Sequence, residues 1–292
     1  MTKINWHHAA GVAMVAMSLV AHDAFAKTPT VGSREFKVLL NPAAFDSDPL
    51  DAANRFLTDL QASLASNGFD STVKKTFAAD HDRTVLYYDS PGTCEVKAAG
   101  YSMRERDDSG DREIELKFGS TDESTAANTD VTGSSSKAES KLEDDITPTY
   151  HEQFSHSTSE PLKSSKNLNH LSDIKDLFPT TTVFDSVSSQ ALSPVSGLSI
   201  HEVTYDGPTS DIGQSDADFT LTVWYANGAS TPSLVEISFE VDVNGDGQFT
   251  DKVTSRSKLI FSTLQGMTNW TLSPSTTKTA WVYNYQPSFC SQ

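Results

Sequence analysis

Residues 98–118 read AAGYSMRERDDSGDREIELKF, and two runs in this stretch alternate with period two. Successive side chains of a β-strand point to opposite faces, so Arg104 and Arg106 share a face, as do Glu113, Glu115 and Lys117, with Ile114 and Leu116 opposite. A strand that buries its apolar side normally leaves only solvent-facing filler on the other. Paired charges raise the question of whether this face lies outside the protein or inside it.

The pattern returns along the chain. Ser33/Glu35/Lys37, Lys137/Glu139/Lys141 and Glu236/Ser238/Glu240 sit at spacing two, with Phe36, Ile237 and Phe239 among the apolar residues opposite. A sheet wetted on one face carries mixed polar residues without regard to neighbouring strands. Recurrent charge on one face and apolar residues on the other fit an α+β fold: a closed or nearly closed antiparallel β-barrel, coated by helices outside and enclosing a charged, hydrated tunnel. Ions taken out of water need partners. Such a lumen either pairs its charges internally, as a ladder of salt bridges, or takes a phosphate-rich anion together with a divalent cation.

The rest of the chain supplies strands and covers. SREFKVLL (33–40) alternates cleanly. Asp48 and Pro49 form a helix start, Phe56, Leu57, Leu60 and Leu64 recur at helical spacing, and Asn67-Gly68 ends the pattern. Strand runs follow at 71–77 and 83–89, and Ser90-Pro91-Gly92 turns into a short helical piece. Residues 119–136 lack apolar periodicity and read as a mobile, low-complexity loop. Alternation resumes at 137–146, a polar stretch leads to a short helix near 171–178, and the second half offers strands at 198–205, 219–225, 234–243 and 278–285, with a helix near 257–264.

The first 26 residues of the 292 have a basic residue, an apolar run from Ala9 to Ala21 and a small-x-small ending at Ala24–Ala26. That is the pattern of a cleaved secretory signal, and the run is shorter than the roughly 20 residues of a membrane span. The expectation is an exported chain, periplasmic or extracellular, with one domain over 27–292 and no membrane span after cleavage. A formal charge of −17 argues against nucleic acid as a partner, because long-range repulsion opposes approach. The two cysteines, Cys94 and Cys290, are candidates for one disulfide in an exported chain.

The charged segments resemble, in order, those of the CYTH superfamily, the triphosphate tunnel metalloenzymes. REFKVLL is similar to the opening E-x-E-x-K strand through Glu35 and Lys37. TVLYYDSP is similar to a tyrosine-aspartate-threonine-proline strand end, and AAGYSMRER to the A-G-x-x-L-R-x-R strand through Arg104 and Arg106. EIELKF ends in Lys117, KAESKLEDDI carries a basic residue two before a glutamate at Lys137 and Glu139, LVEISFE resembles the metal strand through Glu236, and TTKTAWVY the late S-K segment through Lys278.

The resemblance implies a tunnel in which Lys37, Arg104, Arg106, Lys117, Lys137 and Lys278 contact phosphate oxygens, with Lys37 and Lys278 catalytic. Glu35, Glu139 and Glu236 would hold Mg2+ or Mn2+ for metal-dependent hydrolysis of a triphosphate, polyphosphate or organic phosphoanhydride. Ser33 and Ser238 stand where the family carries carboxylates. The alternative is therefore noncatalytic binding of a polyanionic phosphate ligand with a degenerate metal site.

Residues 242–251 read DVNGDGQFTD and place Asp242, Asn244, Asp246 and Asp251 as candidate Ca2+ ligands, although Val253 occupies the twelfth position and a plain turn accounts for the same residues. His151 and His156 do not have zinc-protease spacing and read as surface residues. No nucleophile elbow, Walker loop or dinucleotide-binding glycine pattern is present.

Overall fold

The computed structural model describes residues 29–243 and 248–291. The signal-like segment 1–26, Asn244 and Asp246 lie outside them.

The two runs of the opening stretch form a hairpin, β4 (Tyr101–Asp108) and β5 (Asp111–Ser120), with Arg104 opposite Glu115 and Arg106 opposite Glu113. The turn works because Ser109 and Gly110 both take positive φ, 55° and 97°, the handedness that matches strand twist, and because Asp107 Oδ1 accepts the Gly110 N–H at 2.7 Å.

Around this hairpin a nine-stranded barrel closes. Its other strands are β1 (Ser33–Leu40), β3 (Ala78–Asp89), β6 (Glu139–Thr147), β7 (His151–Pro161), β9 (Ile200–Asp206), β11 (Asp216–Ala226) and β12 (Leu234–Asp242). The ring runs β1-β6-β7-β5-β4-β3-β9-β11-β12, and β12 pairs back with β1. Strand directions cannot alternate all the way round an odd ring, so one joint must be parallel. It is β1–β6, and the other joints are antiparallel. Three short strands, β2 (Val73–Lys74), β8 (Ser193–Pro194) and β10 (Thr209–Asp211), flank the ring.

Apart from β7, the outer face is largely apolar and covered. α1 (Pro49–Ser66) starts at Asp48, whose side chain accepts the Asp51 N–H, and α5 (Asp251–Gly266) starts at Thr250, which caps Val253. Phe56 and Leu60 of α1 and Ile260 and Phe261 of α5 pack with Phe36, Phe219, Ile237 and Phe239 of the sheet. A second core joins Met103, Ile114 and Leu116 to Ile174 of α4 (Leu171–Leu177), Phe178 and Phe184. Phe36 is fully buried, stacked on Phe239 at 4.5 Å and tilted against Phe261 at 5.2 Å. Phe36→Ala is expected to cost about 3–5 kcal/mol, read as a lowered urea midpoint at unchanged m-value.

Several elements differ from the sequence reading. Residues 119–136 are not simply a loop: they contain α3 (Glu123–Asn128), capped by Asp122, with Ala126, Ala127 and Val131 buried. Alanines leave little periodic signal. The expected strand at 278–285 is a helix, α6 (Lys278–Tyr285), begun by Thr277, whose side chain accepts the Ala280 N–H. The run at 71–77 contributes only β2. β7 was read as a polar stretch because both its faces are polar, and His156 within it is buried with Nδ1 2.8 Å from the Thr129 carbonyl oxygen.

Candidate ligand-binding tunnel

The inward faces of the strands enclose a cavity of about 880 Å3. Glu35 and Lys37 come from β1, Arg104 and Arg106 from β4, and Glu115 and Lys117 from β5. β6 adds Lys141, Glu143 and Asp145, and β7 adds Ser155, Ser157 and Ser159. The charged face of the opening stretch therefore points inside.

At one end of the barrel the inward positions change from charged to apolar. Leu39, Val85, Ile200 and Trp224 pack there with Val282 and Tyr283 of α6 and with Phe289. Trp224 lies 5.8 Å from Trp281 and 6.2 Å from Tyr87, ring centre to ring centre. α6 thus stoppers the tunnel, held by two polar ties and, just beyond its end, a disulfide. Lys278 Nζ lies 2.7 Å from Glu236 Oε1. The Tyr283 hydroxyl donates to Asp89 Oδ2 at 2.6 Å, and the same carboxylate accepts the Val96 and Lys97 N–H groups at the start of α2 (Glu95–Ala98). A disulfide joins Cys94, just before α2, to Cys290.

The lumen is a network of ion pairs. Lys37 Nζ contacts Asp145 Oδ1 at 2.7 Å and Glu35 Oε2 at 2.9 Å. Lys117 Nζ contacts Asp145 Oδ2 at 2.8 Å, so one carboxylate bridges two lysines. Arg104 Nη2 donates to both oxygens of Glu115 at 3.0 and 2.9 Å, and Arg106 Nη1 donates to Glu113 Oε1 at 3.0 Å. Lys141 Nζ lies 2.7 Å from Glu143, and Arg83 Nε donates to Glu202, which also accepts the Trp224 indole N–H.

The electrostatics follow. Burial alone would raise Glu115, yet the Arg104 and Arg106 guanidiniums hold it down at about 2. Burial likewise opposes the charge on Glu202, and Lys278, Arg83 and Arg104 overcome it, again to about 2. Asp145 is driven below the carboxylate range by Lys117 and Lys37 against its burial. Glu240 moves the other way: burial raises it, and Glu35 and Glu143 nearby add to the rise. Arg104 and Arg106 each keep a buried Nε–H with no hydrogen-bond partner. Buried donors of this kind call for an acceptor.

Glu35, Lys37, Arg104, Arg106, Lys117, Glu139, Glu236 and Lys278 all line this one cavity. Lys137 does not: it precedes β6 and is exposed. The same basic-x-glutamate spacing recurs four residues later as Lys141 and Glu143, and this pair lies on the lumen face. Asp145 and the serine row of β7 were not singled out in sequence. The alternation of KLEDDI runs through Asp145, and Ser155, Ser157 and Ser159 keep period two.

The expected metal ligands lie apart from one another or against lysines. Glu35 is held by Lys37, Glu236 by Lys278, and Glu139 sits exposed at the start of β6. Among the described residues no group of three His, Cys, Asp or Glu side chains is gathered at one point. Of the candidate calcium loop, Asp242 ends β12, its carbonyl accepting from Ser215 Oγ, and Asp251 opens α5, where an acidic side chain complements the helix dipole.

No family model matches the chain, and no curated protein matches it. Solved structures similar to it include a proposed adenylyl cyclase from Hippeastrum described as having a dominant triphosphatase activity, 13% identical, covering 88% of this chain and 97% of that one with a TM-score of 0.44. A proposed adenylate cyclase from Bacillus halodurans is 13% identical, covering 86% and 98%, with a TM-score of 0.37. The PH1819 protein of Pyrococcus horikoshii is 12% identical, covering 80% and 89%, with a TM-score of 0.30.

Proposed function

We propose that the tunnel binds a phosphate-rich anion, a triphosphate, polyphosphate end or organic phosphoanhydride, without a resident metal. The observation that carries this reading is the side-by-side pair Arg104 and Arg106, whose unpartnered Nε–H groups are buried in a chamber shared with Lys37, Lys117 and Lys278. A guanidinium presents a planar fork suited to two phosphate oxygens, and lysines add point charge around it. Ser157 and Ser159 supply hydroxyls from β7, one strand beyond β5 on the same wall. Metal-dependent hydrolysis, which the family resemblance implies, would require Glu35 to leave Lys37 and Glu236 to turn from Lys278. Export to the periplasm or the outside, implied by the N-terminal segment, belongs to the same proposal.

The test is titration calorimetry with tripolyphosphate, paired with a phosphate-release assay in Mg2+ or Mn2+. Micromolar binding without sustained release is the expected result, and Arg104→Ala should weaken binding at least tenfold. Metal-dependent release that is lost in Lys37→Ala and Lys117→Ala would replace this reading with the hydrolytic one. Neither binding nor release would leave the lumen as a structural salt-bridge ladder.

A further inference from the structure

Asp145 occupies an unusual place in the chamber. The residue is 8% exposed, and its carboxylate spans two ammonium groups from different strands, Lys37 at 2.7 Å and Lys117 at 2.8 Å, while accepting the Ser155 hydroxyl at 2.6 Å. β6 delivers it between β1 and β7, with Asp145 opposite Glu35 on one side and Gln153 on the other. A two-oxygen anion held between two lysines and a hydroxyl is the arrangement a phosphate would adopt in the same spot.

We infer that Asp145 is the affinity-setting residue of the chamber, an internal competitor that fills the oxygen sites between Lys37 and Lys117 and must be displaced by an incoming anion. This rests on the reading that the chamber binds phosphate compounds. Without the Asp145 charge, the ion pairs left to these lysines among the described residues are Lys37 with Glu35 at 2.9 Å and Lys117 with Glu143 at 4.0 Å. Both cations then become available to a ligand, and the like-charge repulsion between carboxylate and ligand disappears. Buried cations deprived of a partner are costly, so the same change makes the empty protein less stable and the ligand more stabilising.

The experiment compares wild type with Asp145→Asn, which keeps shape and removes charge, by tripolyphosphate calorimetry and thermal melting at one fixed salt concentration. The variant is expected to bind at least tenfold tighter, to melt lower without tripolyphosphate and to gain more from its addition. Ser155→Ala, which removes one of the two contacts on Asp145 Oδ2 and leaves its charge, provides a milder second variant with an expected gain of about twofold to threefold.

If wild type binds and the folded Asp145→Asn protein binds equally or more weakly, the competitor role is overturned while the anion-binding reading stands. Should Asp145→Asn not fold, unchanged or weaker binding by Ser155→Ala overturns it in the same way. Binding by Asp145→Asn alone supports the competitor and places the wild-type chamber below the detectable range. Absence of binding in both overturns the reading and the inference together.

Discussion

Acidification from pH 5 to pH 2.5 is expected to unfold the barrel. Glu115 and Glu202 have an ordinary value of 4.5 and sit at about 2 in the folded chain. A carboxylate depressed on folding stabilises the native state above its unfolded value, and that stability is lost as pH falls through the folded value. At about 1.4 kcal/mol per pH unit, each contributes about 3 kcal/mol near neutrality, and Asp145 adds to the same side. Several groups oppose them: burial raises Asp89, Asp218 and Glu240 as well as Asp144. Asp144, raised by burial to about 6 despite Arg34, stabilises below its ordinary 3.8 and loses that contribution as pH rises through about 6. Stability should therefore slope down gently above pH 4 and collapse steeply beneath it. Tryptophan fluorescence followed against pH reads this directly, and Glu115→Gln should flatten the acid limb. A chain still folded at pH 2.5 would mean that the lumen pairs do not hold the barrel together.

Removing the disulfide should have an effect of similar size. Cys94 and Cys290 are separated by 196 residues, and a loop of that length carries about 5 kcal/mol of chain-entropy stabilisation. The Cys94→Ala/Cys290→Ala protein is expected to melt on the order of 10 °C lower than wild type, with the oxidised wild type shifting to match when reductant is added. Because the bond anchors the segment that carries α6, limited proteolysis should also cleave the C-terminal tail of the variant first. A melting temperature that ignores reductant would show that Tyr283–Asp89 and Lys278–Glu236 hold the tail unaided.

The sequence made the ladder of β4 and β5 legible because charge and apolar side chains alternate there without interruption, and alternation is what a barrel wall imposes. β7 hid because its lumen face is serine and its outer face is also polar, so no contrast marked it as a strand. α6 was misread since KTAWVYNY is too short for helical period to stand apart from strand-like composition. In KAESKLEDDI the face was right and the depth was wrong. A displacement of four residues keeps a side chain on the same face yet moves it about 13 Å along the strand, so Lys137/Glu139 and Lys141/Glu143 cannot be told apart by parity. Asp145 stayed unremarked for a related reason: its significance lies in standing between Lys37 and Lys117, a relation that exists only once β6 lies beside β1.

The apolar end built from Leu39, Trp224 and α6 makes the chamber a cul-de-sac. On the proposed reading, a linear guest enters by one terminus and stops where that terminus meets the blind wall near Lys278, so the chamber would take chain ends and not chain interiors.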